Sequence, residues 1–368
     1  MKIGIITFHF VNNFGGALQA YALQRVVAEQ CQAESEIIDY RNWFIRLTDT
    51  IRLFPITTNI QEIKSGLATM MARFKRINRF RTFLRENCKR SVFYRNHFQM
   101  NANPPQYDKF ICGSDQIWNP FITMGVSQNY FLGFVKNSAD KIAYAPSFGT
   151  DRIAERHKRK IKKYLSSFGY LSVRENSGQA LIKEMTGRKV ERLVDPTFLL
   201  KKEDWEEFAI DSCAKEEYIL LYIMQRDESI YNYVKKIKEE KGLKVMEISR
   251  YGYHSEAVDE ILVDVGPREF LGLFRDASYI CTNSYHGLVY SLIFEKDFCL
   301  IPCKKFTARI NNLLDLLQIE ISPDIRKGES ILTANYNRDY VRKVIEKERQ
   351  KAIYYLIESV GDSGYDTN

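Results

Sequence analysis

Histidine is scarce in this chain: five occur in 368 residues. The seven cysteines, at 31, 88, 112, 213, 281, 299 and 303, include no CxxC pair, and Cys299 and Cys303 have no nearby histidine with which to bind zinc. Several lie inside apolar runs, so buried, reduced thiols are expected. No metal-ligand cluster is legible, and neither a bound metal nor a resident cofactor is expected. Long apolar runs are missing too. Leu288–Phe294 is interrupted by Ser291 and falls well short of the about 20 residues that cross a bilayer. The opening MKIGIITFHF has one lysine and lacks the apolar core and small-residue cleavage site of a signal peptide. These gaps predict a cytoplasmic chain, at most peripheral to the inner face of the membrane. There is also no GxGxxG and no Walker GxxxxGK[ST], which removes the commonest nucleotide-binding signatures.

The residues that are present describe a globular protein. Hydrophobic residues make up 45% and charged residues 27%, and the length suits two domains. The formal charge of +8 is uneven: RFKRINRFRTFLRENCKRSVFYR, residues 73–95, holds nine cations against Glu86 alone. Phe74, Ile77, Phe80 and Leu84 recur at helical spacing, so the segment reads as a basic amphipathic helix. It is either a solvated helix packed on its domain or a patch for an anionic membrane surface or polyanion. No nucleic-acid-binding motif accompanies the charge, and nucleic acid is not an expected partner.

Strand and helix alternate along the chain, which predicts an α/β fold with parallel sheets covered by helices. Strands are expected at 2–7, 37–40, 109–112, 141–145, 170–174 and 190–194, with helices at 16–30, 153–167 and 177–186. VDPTFLLKKEDW, residues 194–205, is the best boundary. Beyond it, strands fit 218–224, 244–248, 260–264, 278–282 and 298–301, and helices fit 228–241, 268–276, the segment from His286, and 308–318. The expected division is 1–200 for an N-terminal Rossmann-like domain carrying the acceptor side and the basic helical segment 60–95, and 201–335 for a second. A terminal helix within 336–368 packs back on the first.

In open parallel sheets, ligands bind beyond the carboxyl ends of the strands. The turn FHFVNNFGGALQ places Asn12, Asn13, Gly15 and Gly16 between a strand and a helix N-terminus, where backbone N–H groups attract anions. Read blandly, it is a tight turn. Asp115 follows KFICGSD, Arg174 ends YLSVRE, and His286 ends YICTNSYH with Gly287 behind it. Each also has a structural explanation: an N-cap for Asp115, an ion pair with Glu175 for Arg174, and a satisfied core position for His286.

NFGGALQAYAL, FICGSDQIWNP, KIAYAPSFG, SVRENSG, LVDPTFLL and TNSYHGLVYSLIFEKDF, in that order, resemble the polysaccharide pyruvyl transferase family over most of the chain. The pairing of GSDQIWN with TNSYHG is the most specific part. The resemblance implies two Rossmann-like domains facing across a cleft, similar to GT-B glycosyltransferases. It implies transfer of the enolpyruvyl carbons of phosphoenolpyruvate to two hydroxyls of a sugar in a cell-surface polysaccharide or its lipid-linked precursor, with release of phosphate. Asp115, Arg174 and His286 fall on the positions its motifs mark. Asn283, Ser284, Gly287, Lys304 and Arg309 are the expected donor-binding residues alongside Arg174. Asn13, Gly15, Gly16, Gln116 and Trp118 are the expected acceptor side. One place departs from the pattern: many relatives carry an arginine where this chain has Ser284, so Lys304, Lys305 or Arg309 would have to supply that cation.

The chemistry suits these residue types. Ketal formation needs a proton delivered to the methylene carbon, leaving a cationic centre that a hydroxyl attacks. A histidine with a pKa near ~6.5 can shuttle that proton, worth about 10²–10⁴ in rate. An arginine grips carboxylate or phosphate through two hydrogen bonds. Asp115 would orient the histidine or take a proton from the hydroxyl. Trp118, Tyr144 and Tyr285 would stack on a sugar or simply pack the core. The competing enzyme is a nucleotide-sugar glycosyltransferase, for which the segment after His286 offers only Glu295 and Asp297. The competing non-enzyme is a polysaccharide-assembly protein or membrane binder using the basic segment.

Overall fold

A computed structural model describes residues 1–361 except 11, 43, 46, 48–63, 65–66, 213, 225, 227, 253, 302–307 and 324–331. The chain forms two compact units. Met1–Asp49, Leu84–Leu200 and Lys343–Asn368 make the first, and Thr50–Phe83 with Lys201–Arg342 makes the second.

The first unit is built on a six-stranded parallel sheet of β1 (Lys2–Ile6), β2 (Glu34–Ile37), β3 (Lys109–Cys112), β4 (Lys141–Ala143), β5 (Tyr170–Val173) and β6 (Glu191–Arg192). Their order is β2-β1-β3-β4-β5-β6. The central strands β1, β3, β4 and β5 are short and largely buried, as strands covered by helices must be. The first helix, α1 (Phe14–Gln30), is buried over most of its first three turns. Because β2 and β3 flank β1 on opposite sides, the chain reverses direction across the sheet there. That reversal opens a crevice beyond the carboxyl ends of β1 and β3.

The helix α2 (Met70–Asn87) follows, running from the second unit into the first. Short α3 (His97–Ala102), then α4 (Glu155–Leu165) and α5 (Asn176–Thr186), complete the first unit's own helices. Its core gathers Trp118, Phe131, Phe148, Ile161 and Ile182 with the strand residues Ile6, Cys112 and Val173.

The second unit contains α6 (Lys202–Phe208), β7 (Tyr218–Tyr222), α7 (Glu228–Lys241), β8 (Lys244–Ile248), β9 (Glu260–Leu262), α8 (Pro267–Asp276), β10 (Tyr279–Thr282), α9 (Tyr285–Ile293), β11 (Phe298–Leu300) and α10 (Ala308–Leu317). The sheet order is β12-β13-β11-β10-β7-β8-β9, with β12 (Glu320–Pro323) and β13 (Leu332–Asn335) added antiparallel at one edge. Strands β7 to β11 are parallel in the order 3-2-1-4-5, the Rossmann arrangement, with its reversal between β7 and β10. The last helix, α11 (Arg338–Gly361), begins in the second unit and ends in the first. There Tyr355 Oη donates to the Ala143 carbonyl and Arg349 Nε to the Phe198 carbonyl, at 3.0 and 2.7 Å.

Two sequence expectations are corrected. The basic segment 60–95 does not lie wholly in the first domain, because its described residues up to Phe83 pack with the second unit. The stripe on α2 is also rotated: Phe74 is exposed, while Arg73, Arg76, Phe80 and Phe83 are buried. The face expected to carry solvated charge is in part turned inward. Lys75 and Arg79 pair with Asp264, and Arg79 also reaches Glu269. The β12–β13 pair adds two strands where none was expected.

Candidate active site

In the first unit the crevice between β1 and β3 is tightly wired. Thr7 Oγ1 donates to the Ser114 carbonyl at 2.7 Å. Gln19 Nε2, from α1, donates to Thr7 Oγ1, the Phe8 carbonyl and the Gly16 carbonyl, each at 3.0 Å. Asn13 is the N-cap of α1, its Oδ1 accepting from Gly16 N. Gly15 and Gly16 are buried within the first helical turn rather than preceding it.

Asp115 sits just beyond β3 with a φ of +72°, a left-handed conformation rare outside glycine. Such strain, of order 1–2 kcal/mol, persists only where surroundings impose it and clusters at functional sites. Its Oδ1 accepts from Gln116 N and its carbonyl from Ser147 N, at 2.8 and 2.9 Å. Gln116 bonds the Asn119 amide and lies against Gly149, whose φ of +63° and lack of a side chain leave room for it.

Arg174 lies beyond β5 with its side chain only 2% exposed. Nη1 donates to Asp195 Oδ2 at 2.5 Å and to Ser114 Oγ at 3.3 Å, while Nε donates to Glu175 Oε1 at 3.3 Å. Glu175 in turn accepts a short hydrogen bond from Ser147 Oγ. The guanidinium is thus engaged by two carboxylates and ties together the segments after β3, β4, β5 and β6. This differs from the open carboxylate grip expected of it. Trp118 is corrected as well: it is buried, stacks on Phe131 at 4.9 Å and donates Nε1 to the Tyr130 carbonyl. Tyr144 is likewise a core residue, bonded to the Val194 carbonyl.

Two residues of this crevice escaped sequence reasoning. His9, three residues past β1, is fully buried, with Nδ1 3.1 Å from the Thr7 carbonyl and Nε2 3.1 Å from Asp39 Oδ1. Burial raises the pKa of the Asp39 carboxyl, but the hydrogen bonds and charges of His9 and Arg41 outweigh it and hold it well below the usual carboxylate range. Both ring nitrogens of His9 thus lie at hydrogen-bonding distance from an oxygen. Arg41 and Arg90 complete the cluster around Asp39.

In the second unit the motif TNSYHG occupies the reversal between β7 and β10. Thr282 Oγ1 donates to the Tyr222 carbonyl at 2.6 Å and accepts from Ser284 N at 3.1 Å. Asn283 Oδ1 accepts from Met224 N at 2.7 Å, so this side chain fixes the turn after β7. Ser284 is the N-cap residue of α9 and makes no side-chain capping bond. His286 falls in that first turn, with Tyr285 edge-on to it at 5.2 Å. A Cβ on Gly287 would meet Thr282 Oγ1 at 2.1 Å, so glycine is needed for α9 to lie against β10. Arg309, from α10, places its guanidinium 5.3 Å from the Tyr285 ring centre. Lys304 and Lys305 lie outside the described residues.

The polysaccharide pyruvyl transferase family model matches residues 13–304, well over half of the sequence. The chain belongs to that family. No curated protein matches it. Among solved structures it is similar to a UDP-GlcNAc 2-epimerase from Neisseria meningitidis, at 10% identity over 95% of this chain and 100% of that one, with a TM-score of 0.42. The N-terminal domain of Candida albicans trehalose-6-phosphate phosphatase gives 11% over 98% and 94%, TM-score 0.46. An E. coli heptosyltransferase gives 9% over 83% and 90%, TM-score 0.37. The two Rossmann-like units of this pyruvyl transferase family member rest on the sheet orders above. Asn13, Asp115, Arg174 and Asp195 follow strands β1, β3, β5 and β6 of the first unit, and TNSYHG follows β10 of the second.

Proposed function

We propose that the protein transfers the enolpyruvyl carbons of phosphoenolpyruvate to two hydroxyls of a sugar in a cell-surface polysaccharide or its precursor, forming a pyruvate ketal and releasing phosphate. The observation that carries this reading is the position of His286. It stands in the first turn of α9, directly beyond the strand where the second sheet reverses, which is where such folds bind ligands. An imidazole there is able to deliver a proton to the methylene carbon and recover one from a hydroxyl. The α9 N-terminus and Arg309 contribute positive charge for the donor's phosphate and carboxylate. In the first unit, Asp115 is a candidate to accept the acceptor's hydroxyl proton. Arg174 is better cast as a positioning residue that holds Ser114, Asp195 and Glu175. The nucleotide-sugar alternative relied on Glu295 and Asp297. Glu295 is engaged by Lys202 and Arg342, and the exposed Asp297 by Arg338.

The test begins with mass spectrometry of free and lipid-linked glycans incubated with protein and phosphoenolpyruvate, to find an acceptor. His286→Ala is then expected to lower phosphate release at least about 100-fold while leaving the fold intact. Near wild-type turnover in the folded variant would remove His286 from the mechanism.

A further inference from the structure

The first half of α2 is amphipathic in the reverse sense. A surface helix ordinarily turns its apolar stripe to the core and its charges to solvent. Here Arg73 and Arg76 are buried, while Met71 and Phe74 are 85% and 56% exposed. Leu67, just ahead of the helix, is 58% exposed. Leu67, Met71 and Phe74 stand at helical spacing and so share one face. In the second half of α2, Phe80 and Phe83 face inward in the ordinary way.

The inner face shows how the helix is held without that stripe. Thr69 Oγ1 donates to the Tyr251 carbonyl at 3.2 Å, Arg76 Nη1 to the Ser249 carbonyl at 3.3 Å and Arg79 Nη1 to the Asp264 carbonyl at 2.8 Å. Thr69 also packs on Gly252, where a Cβ would meet its Cγ2 at 2.6 Å. These contacts, all within the second unit, fix the rotation of the helix, and that rotation leaves Leu67, Met71 and Phe74 in water. Single exposed apolar residues are commonplace, but a contiguous row of them marks an interaction surface.

Charge selects the occupant. From Lys64 to Arg85 the sequence contains no Asp or Glu. Lys75 and Arg79 are matched by Asp264 and Glu269. Lys64 and Arg81, both exposed and at opposite ends of the row, make no ion pair among the described residues. An apolar row ended by unmatched cations suits a bilayer interface, where the apolar side chains enter the acyl boundary and the cations lie among anionic headgroups. A protein partner suits it less, because three partly exposed side chains offer far less apolar area than the about 800 Å² per partner of a stable interface.

We infer that Leu67, Met71 and Phe74, with Lys64 and Arg81, form a surface that docks the second unit on an anionic membrane. The inference does not depend on pyruvyl transfer, since it requires neither donor nor acceptor.

Cosedimentation of the full chain with lipid vesicles tests this, using phosphatidylcholine alone and phosphatidylcholine with phosphatidylglycerol in equal parts. Wild type is expected to bind the anionic vesicles at least about tenfold more tightly than the neutral ones, and added salt should weaken that binding. Met71→Gln combined with Phe74→Gln keeps helix propensity but removes two inserted side chains, and should weaken binding at least about tenfold. Lys64→Gln combined with Arg81→Gln should weaken binding to anionic vesicles by a similar factor and leave binding to neutral ones unchanged. All four positions are exposed, and thermal unfolding of each double variant checks the fold. Three results would each overturn the inference: no binding of wild type to anionic vesicles, equal binding to both vesicle types, or undiminished binding by a folded Met71→Gln, Phe74→Gln protein. So would sedimentation equilibrium that shows a dimer abolished by that same variant, which would assign the face to a second copy of the chain.

Discussion

At the residue scale, the active-site candidates divide into those whose neighbours are local and those whose neighbours are assembled by the sheet. Asp115 and His286 stand out in the sequence because each follows an apolar strand and has a glycine within two residues. His9 and Asp39 do not, because thirty residues separate them and only the pairing of β1 with β2 brings them together. Their cluster makes a pH prediction. A carboxyl whose folded pKa is depressed contributes stability that is present above the unfolded value, about 3.9, and is lost as pH falls through the folded one. Asp39→Asn should therefore lower the melting temperature most at neutral pH, and the gap to wild type should close on strong acidification. A gap that is constant from neutral to strongly acidic pH would show that Asp39 acts through packing alone. Arg174 is a related lesson. The sequence offered it one partner, Glu175, but the stronger one is Asp195, supplied by the VDPT turn.

At the element scale, helix and strand positions followed from periodicity, and α7 and β8 occur where the alternation placed them. The misjudged element is α2. Its stripe of Phe74, Ile77, Phe80 and Leu84 has helical spacing, yet the buried face is shifted because Arg73 and Arg76 find carbonyl and aromatic partners on the segment after β8. Hydrophobic periodicity has no means of anticipating arginines that are buried by such contacts. The contact of α9 with β10 carries a second prediction. Gly287→Ala must push the helix off Thr282, whose hydroxyl also bonds Tyr222 and Ser284. Overpacking of this kind typically costs about 1–3 kcal/mol, so thermal unfolding should shift down by several degrees. An unshifted transition would mean that α9 can recede without cost.

At the scale of the whole molecule, the boundary near residue 200 was legible from Pro196 and the charge run after it. The exchange of segments was not, since nothing local tells residues 50–83 to join the later half of the chain. A fragment of residues 1–200 lacks the part of α11 that buries Ala352, Tyr355, Leu356 and Val360. It is expected to unfold without a cooperative transition, and addition of a peptide spanning residues 338–361 should restore one. Cooperative unfolding of the bare fragment would show the helix to be dispensable. The same interleaving sets a timetable for biosynthesis. The first unit is complete only when residues beyond Lys343 emerge, long after Leu200 has been made. At about 5–20 residues per second, that is a wait of roughly 7–30 s. Throughout that interval the surface that α11 covers in the finished unit stays exposed on the nascent chain.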